Sequence, residues 1–175
     1  MRILLLCGSL GRMSANRAAL DVVRSDLERR GIEVTDGDVF ATVPALNPDL
    51  VDTPPPAVVE LRRLIAAADA VIIAAPEYAG GLAGSVKNAL DWVVGSGELY
   101  GKHVGILCAG TSGGEHARLQ LAQTLYWQGA RPVADLGIAA PRTKSDADGT
   151  ITDPATLAAL HEFTDDVLLG TPRVA

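Results

Sequence analysis

The segment Ala70–Ala75, AVIIAA, has no polar side chain at either parity of position. A strand wetted on one side alternates apolar with polar residues, whereas a run that is apolar throughout must be covered on both faces. Arg2–Cys7 and His103–Ala109 are strands of the same kind, and Ile32–Asp36 and Pro132–Ile138 complete a set of five. Helical patterns lie between them. Leu20, Val23 and Leu27 recur at helical spacing until Gly31, and Val58, Leu61, Leu64, Ile65 and Ala68 mark a second helix. Ser85–Val94 reads as a third, and Glu115–Gln128, with Ala117, Leu121 and Leu125 on one face, as a fourth. Leu157, Leu160 and Val167 fit a last one. Phe40–Pro56, rich in Pro, Asn and Asp, is a long loop. This alternation predicts an α/β fold in three layers: a five-stranded parallel sheet with right-handed crossovers and helices on both faces. Five strands suit the order 2-1-3-4-5.

With 175 residues, the chain is expected to form one domain over residues 1–170, with 171–175 as a frayed tail. A domain of this size buries roughly 70% of its unfolded surface and needs no disulfide or metal staple. The net charge of −6 argues against a nucleic-acid-binding surface, which needs a basic stripe. Cys7 and Cys108 lie in apolar runs and read as free buried thiols of a reducing compartment. No cysteine or histidine spacing suits a metal, since His103, His116 and His161 are isolated from one another. No run reaches the roughly 20 apolar residues of a membrane span, and Ile3–Cys7 is too short for a signal peptide, so a cytoplasmic protein is expected.

The unusual residues follow the strands. Gly8–Asn16, Pro76–Gly84 and Gly110–Gly114 each come directly after an apolar run. In an open parallel sheet the carboxyl ends of the strands share one edge, where ligands bind at the topological switch point. With the order 2-1-3-4-5 the three turns crowd one crevice. In the first turn, Ser9, Ser14 and Asn16 offer donors, free N–H groups at a helix start add more, and Arg12 or Arg17 supplies a cation. That suits a terminal phosphate, although a plain strand–helix turn with Ser14 as its cap reads equally well. Neither GxxxxGK[ST] nor GxGxxG is present. Glu28 lies inside a helix and Asp36 falls too late to be the acidic partner of a dinucleotide fold. In the second turn, Gly80, Gly81 and Gly84 let backbone approach something flat, and Tyr78 stands beside it; Glu77 reads as a surface charge.

These residues resemble the NAD(P)H-dependent FMN reductases of flavodoxin-like fold, a family that includes quinone, chromate and azo-dye reductases. GSLGRMSANR is similar to the family's phosphate loop GSLRxxSxNR. PEYAGGLAGSVKNALDWV is similar to its PEYNxxxPGxLKNAIDW, and AGTSGGEHARLQL to its glycine-rich segment after the fourth strand. The resemblance covers residues 2–138. It implies bound FMN, with NADPH or NADH as co-substrate. Carried over residue by residue, Ser9, Arg12, Ser14, Ala15 and Asn16 hold the phosphate. Pro76, Glu77, Tyr78, Ala79 and Gly80 run along the isoalloxazine edge, and Gly110 and Thr111 touch the ring or ribityl chain.

The implied chemistry belongs to the flavin. A nicotinamide hydride goes to the ring, the oxidised nucleotide leaves, and a quinone, flavin, azo compound or metal oxyanion takes the electrons in the same place, by ping-pong kinetics. No side chain is assigned as a catalytic acid or base. The family further implies a homodimer or homotetramer. A flavodoxin-like electron carrier is the alternative; it calls for aromatics around the ring, and Tyr78 alone stands at a suitable turn. Preference for NADPH over NADH is left open among Arg12, Arg17, Lys87 and Arg118. The chain departs from the family at three places: Gly11 for arginine, Ala79 for asparagine and Ala83 for proline. These predict a looser hold on FMN and a looser second turn.

Overall fold

The computed structural model describes residues 1–171. Its elements run β1 (Arg2–Cys7), α1 (Ala15–Arg29), β2 (Glu33–Asp36), α2 (Pro56–Ala67), β3 (Ala70–Ala74), β4 (Glu77–Tyr78), β5 (Gly81–Leu82), α3 (Gly84–Trp92), β6 (His103–Gly110), α4 (Glu115–Trp127), β7 (Arg131–Ala139) and α5 (Pro154–Gly170), with short 3-10 turns at Pro48–Leu50 and Pro141–Lys144. The main sheet has the order β2-β1-β3-β6-β7, all pairs parallel. With β4 and β5 set apart as a separate hairpin, that is the expected flavodoxin-like 2-1-3-4-5.

The period-2 split of the strands explains the three layers. Ile3, Leu5, Ile72 and Leu107 point to one face and meet Leu20, Val23 and Leu27 of α1 and Leu160, Phe163 and Val167 of α5. Leu4, Leu6, Val71, Ile73, Val104 and Ile106 point to the other and meet α2, α3 and α4 through Leu61, Ile65, Val86, Leu90, Leu121 and Leu125. All of these are almost fully buried, each contributing roughly 1.5–3 kcal/mol of transfer free energy. β7 is an edge strand, which is why Pro132 is tolerated in it; a register shift opposite Val104 and Gly105 absorbs one extra residue. Thr171, expected at the head of a frayed tail, is buried instead, and its hydroxyl donates to the Val167 carbonyl. The rest of the expected tail, 172–175, lies outside the described residues.

A buried charge locks α1 to α5. Asp26, 5% exposed, accepts from Arg29 at 2.8 Å and Arg30 at 2.6 Å on its own helix, and His161 Nδ1 of α5 lies 3.3 Å away. Arg30 also pairs with Asp165. Burial works against the Asp26 charge, but the hydrogen bonds from Arg30 and His161 outweigh it, so its carboxyl is held below its ordinary value. The unfolded chain therefore binds that proton more tightly. The stabilisation is complete above the unfolded value of about 3.9 and is lost as the pH falls through the lower folded value. Asp26→Asn should cost about 1–2 kcal/mol at pH 7, less than a sealed pair because the arginines reach water. In thermal melts the gap between variant and wild type should close as the pH is taken below about 4.

Candidate functional site

β1 ends at Cys7, and the chain then passes beneath α3. A Cβ on Gly8 would stand 2.2 Å from Val86 Cγ2, so only glycine fits this crossing. Gly8 N–H donates to the Ala74 carbonyl at 2.8 Å, and its own carbonyl accepts from Ser85 Oγ at 3.3 Å. From Ser9 to Ser14 the backbone N–H groups donate to no group among the described residues. Ser14 then caps α1, its hydroxyl accepting from Arg17 N–H at 3.2 Å. Ala15 and Asn16, in the first turn of α1, have no earlier carbonyl in the helix to bond. Unpaired donors in sequence just ahead of a helix start are the arrangement that anion-binding turns use. Arg12 is exposed and has no carboxylate partner among the described residues. Arg17, the other candidate cation, pairs with Asp36 and Asp38.

The Asn16 side chain does something the sequence did not indicate. It is buried, its Nδ2 donates to the Ala109 carbonyl at 3.2 Å, and its Oδ1 accepts from the Ala109 N–H at 2.8 Å. Its carboxamide is therefore not available to an anion, and only its backbone N–H is left to face one.

The second turn is a small β-hairpin, an element not expected from the sequence. Glu77–Tyr78 pairs antiparallel with Gly81–Leu82, with Ala79 and Gly80 at φ +51° and +69° between them. Positive φ at both central positions is the arrangement of a type I′ turn, which favours Asn-Gly. The missed signal was Ala-Gly between two short extended segments. At Ala83, where the family has proline, the hairpin gains a backbone bond. Ala83 N–H donates to the Pro76 carbonyl at 3.2 Å, a bond proline would not make, and Leu82 N–H donates to Gln120 Oε1 at 2.8 Å. Pro76 is buried, while Tyr78, Ala79 and Gly80 are exposed. At the hairpin tip the N–H groups of Ala79 and Gly80 donate to nothing among the described residues.

Glu77 is more than a surface charge. Its carboxylate accepts from Ala117 N–H at 3.0 Å, capping the start of α4 and pinning the hairpin there. The third turn is held from the other side. Arg118 pairs with Asp135 of β7 at 2.6 Å and donates from Nε to the Gly113 carbonyl at 3.1 Å. Gly114 sits at φ +65°, and a Cβ there would lie 2.0 Å from Cys108 Sγ. Burial and then the Glu77 charge push the Cys108 thiol up to about 11, so it is an inert core group. Gly110 and Thr111 accept from the Ala140 N–H through their carbonyls.

The expected residues thus gather on one sheet edge in three adjoining turns. The first comprises Ser9, Arg12, Ser14, Ala15 and Asn16, the second Pro76–Gly80, and the third Gly110 and Thr111. Two cavities flank the first turn. One, of about 280 Å³, lies between it and Asp38–Ala41. The other, of about 660 Å³, lies between α1 and residues 142–150. Neither is lined by the hairpin, so the face offered by Tyr78–Gly80 is an open surface. Among the described residues no cluster of three potential metal ligands occurs, and no helix is long and apolar enough to cross a membrane.

The sheet order defines a flavodoxin-like α/β protein, and the matches specify which kind. Residues 1–144 match the family of NADPH-dependent FMN reductases. The chain is 34% identical to an NAD(P)H-dependent FMN reductase of Pseudomonas aeruginosa over 87% of its own length and 85% of that protein's. It is 32% identical to an NAD(P)H:quinone oxidoreductase of Solanum tuberosum, covering 89% and 85% of the two chains. Among solved structures it resembles FerB, an NAD(P)H:acceptor oxidoreductase of Paracoccus denitrificans, with a TM-score of 0.77 over 98% of this chain and 99% of that one, at 24% identity. A Pseudomonas aeruginosa flavodoxin matches with a TM-score of 0.62 at 17% identity, which speaks for the fold alone. The chain belongs to the NADPH-dependent FMN reductase family: it is an oxidoreductase that works with FMN and NAD(P)H.

Alanine in the left-handed region is strained by roughly 1–2 kcal/mol, and asparagine far less. Ala79→Asn should therefore stabilise the hairpin by about 1 kcal/mol and raise Tm by roughly 2–4 °C for a chain of this length. Differential scanning calorimetry checks it; an unchanged or lower Tm would mean the turn relaxes away from positive φ.

Proposed function

We propose that this chain passes electrons from NAD(P)H through one FMN site to a small acceptor, a quinone, free flavin, azo compound or metal oxyanion, in two half-reactions at the same place. The carrying observation is the unpaired N–H run from Ser9 to Ser14 beside the hairpin and the third turn. Bound FMN supplies the two-electron transfer; the chain binds, orients and leaves a face open.

The fit to FMN is specific to these residues. The Ser9–Ser14 N–H groups, the hydroxyls of Ser9 and Ser14, and the Ala15 and Asn16 N–H groups receive the phosphate, with Arg12 as its cation. Charge-assisted bonds of this kind contribute roughly 1.5–3 kcal/mol each. Arg12 follows Gly11, so the cation stands one position later than the family's usual arginine. The flat hairpin backbone, with the free N–H groups of Ala79 and Gly80, lies along the ring edge. Gly110 and Thr111 bound the other side. No acid or base is required, and none is placed here.

The site's openness supports a broad acceptor range, because only stacking on an exposed face is asked of the acceptor. The surface of α4 supports a homo-oligomer. Leu119, Tyr126 and Trp127 are 61%, 68% and 85% exposed on a helix whose other side is core, and Tyr100 is exposed as well. Two free, buried thiols fit a reducing cytoplasm.

Purified protein loaded with FMN should show absorbance near 450 nm that NADPH bleaches under argon and that quinone or air restores. Initial rates against both substrates should give parallel double-reciprocal lines. Intersecting lines would replace the two-half-reaction scheme, and a flavin that NADPH does not bleach without a partner reductase would point to an electron carrier. By light scattering, Tyr126→Glu with Trp127→Glu should convert a dimer or tetramer into a smaller species. An unchanged mass would put the interface elsewhere.

A further inference from the structure

The 2′-phosphate of NADPH requires a cation that is not already spent. Lys87 pairs with Asp91 at 2.6 Å, Arg118 with Asp135 at 2.6 Å and Arg17 with Asp36 and Asp38. Of the four candidates only Arg12, which the FMN phosphate engages, has no carboxylate within 4 Å among the described residues. It lies on the wall of the 660 Å³ groove, and so does Arg142, also without a carboxylate partner among the described residues.

The groove has the make-up of a nucleotide site. Its floor is apolar: Ala18, Val22 and Leu157 pack on the core from below and face it from above. Its size is in the range that encloses a small organic ligand, roughly 300–1,000 Å³. It begins at the turns that serve the flavin. Arg12 and Ser14 belong to the first, and the segment carrying Arg142 hangs from the third through the Ala140 N–H. Of the carboxylates that line it, Asp146 is turned to the N–H groups of Asp148 and Thr150, and Asp148 stands exposed at the tip of that turn.

We propose that this groove takes the phosphorylated adenosine end of NADPH, with Arg142 holding the 2′-phosphate, so that the chain prefers NADPH to NADH. The proposal rests on the reading of the chain as a nicotinamide-dependent reductase. The apolar floor takes the adenine face and Arg142 takes the 2′-phosphate, Arg12 being engaged by the FMN phosphate at the mouth of the groove. The nicotinamide end is left free to lie toward the open face at the third turn.

Two measurements test this on the FMN-loaded protein. In steady state, Arg142→Gln should raise KM for NADPH roughly ten-fold or more, the loss of one charge-assisted bond, and leave KM for NADH unchanged. In calorimetry, 2′,5′-ADP should bind wild type more tightly than 5′-AMP does, and Arg142→Gln should erase the difference. Leu157→Trp, its fold verified by circular dichroism, should weaken both by filling the floor. Failure of 2′,5′-ADP to bind, equal binding to Arg142→Gln, or a joint shift in both KM values would overturn the groove assignment. The two readings fail separately. A protein that oxidises NADPH but ignores 2′,5′-ADP loses the groove and keeps the reductase; one that binds 2′,5′-ADP through Arg142 but oxidises neither nucleotide does the reverse.

Discussion

The bond pair between the Asn16 carboxamide and the Ala109 main chain spaces the parts of the site. Asn16 opens α1, just after the anion cradle, and Ala109 is the last buried residue of β6 before the third turn. Donor and acceptor both meet their complements, 2.8 and 3.2 Å away, inside the protein. A buried amide left unpaired costs roughly 1–3 kcal/mol, so the geometry that satisfies it is strongly preferred. The distance between the phosphate turn and the third turn is therefore set by a buried, fully paired side chain. Ser85 does the same for α3 on Gly8, and Glu77 for the hairpin on α4.

That rigidity stands behind a site with little shape of its own. The mounts are buried while the working surface, Tyr78 to Gly80, is open to solvent. Under the proposed reading, a fixed phosphate turn with an exposed ring face determines where electrons leave but hardly which molecule collects them. On this account selectivity falls to the nucleotide, which has phosphates that can be read by guanidinium groups.

The sheet, its order and its crossovers were legible because they depend on local patterns: apolar runs, helical periodicity and glycine stops. The site's turns were legible as positions, since each follows a strand. What the side chains do there was less so, because the partners are distant in sequence. Asn16 looked like a phosphate ligand and is spent 93 residues away. The KNALDW stretch, which ends the segment that carries the family resemblance most specifically, largely serves the fold. Asn88 accepts the Leu46 N–H and donates to the Pro44 carbonyl, and Trp92 Nε1 donates to that same carbonyl at 2.8 Å, anchoring the loop before α2. Arg142 carried no signal at all, since an arginine in an irregular segment acquires meaning only when α1 is seen beside it.

The three departures from the family pattern also change meaning in three dimensions. Gly11 stands in a stretch where a Cβ would meet nothing within 4 Å, so the position is open to a side chain and only the cation's attachment has moved by one residue. Ala83 replaces a proline yet makes a backbone bond that proline forbids, exchanging one restraint on the hairpin for another. Ala79 is the departure that retains a cost, because its backbone must adopt positive φ without the asparagine that makes this cheap. That cost falls at the tip of the hairpin. Residues in strained conformations persist where the surroundings over-determine them. Here the surroundings are Glu77 on the α4 start, Leu82 on Gln120 and Ala83 on Pro76. The strain is therefore held by bonds outside the turn, and the two N–H groups at the tip stay unpaired among the described residues.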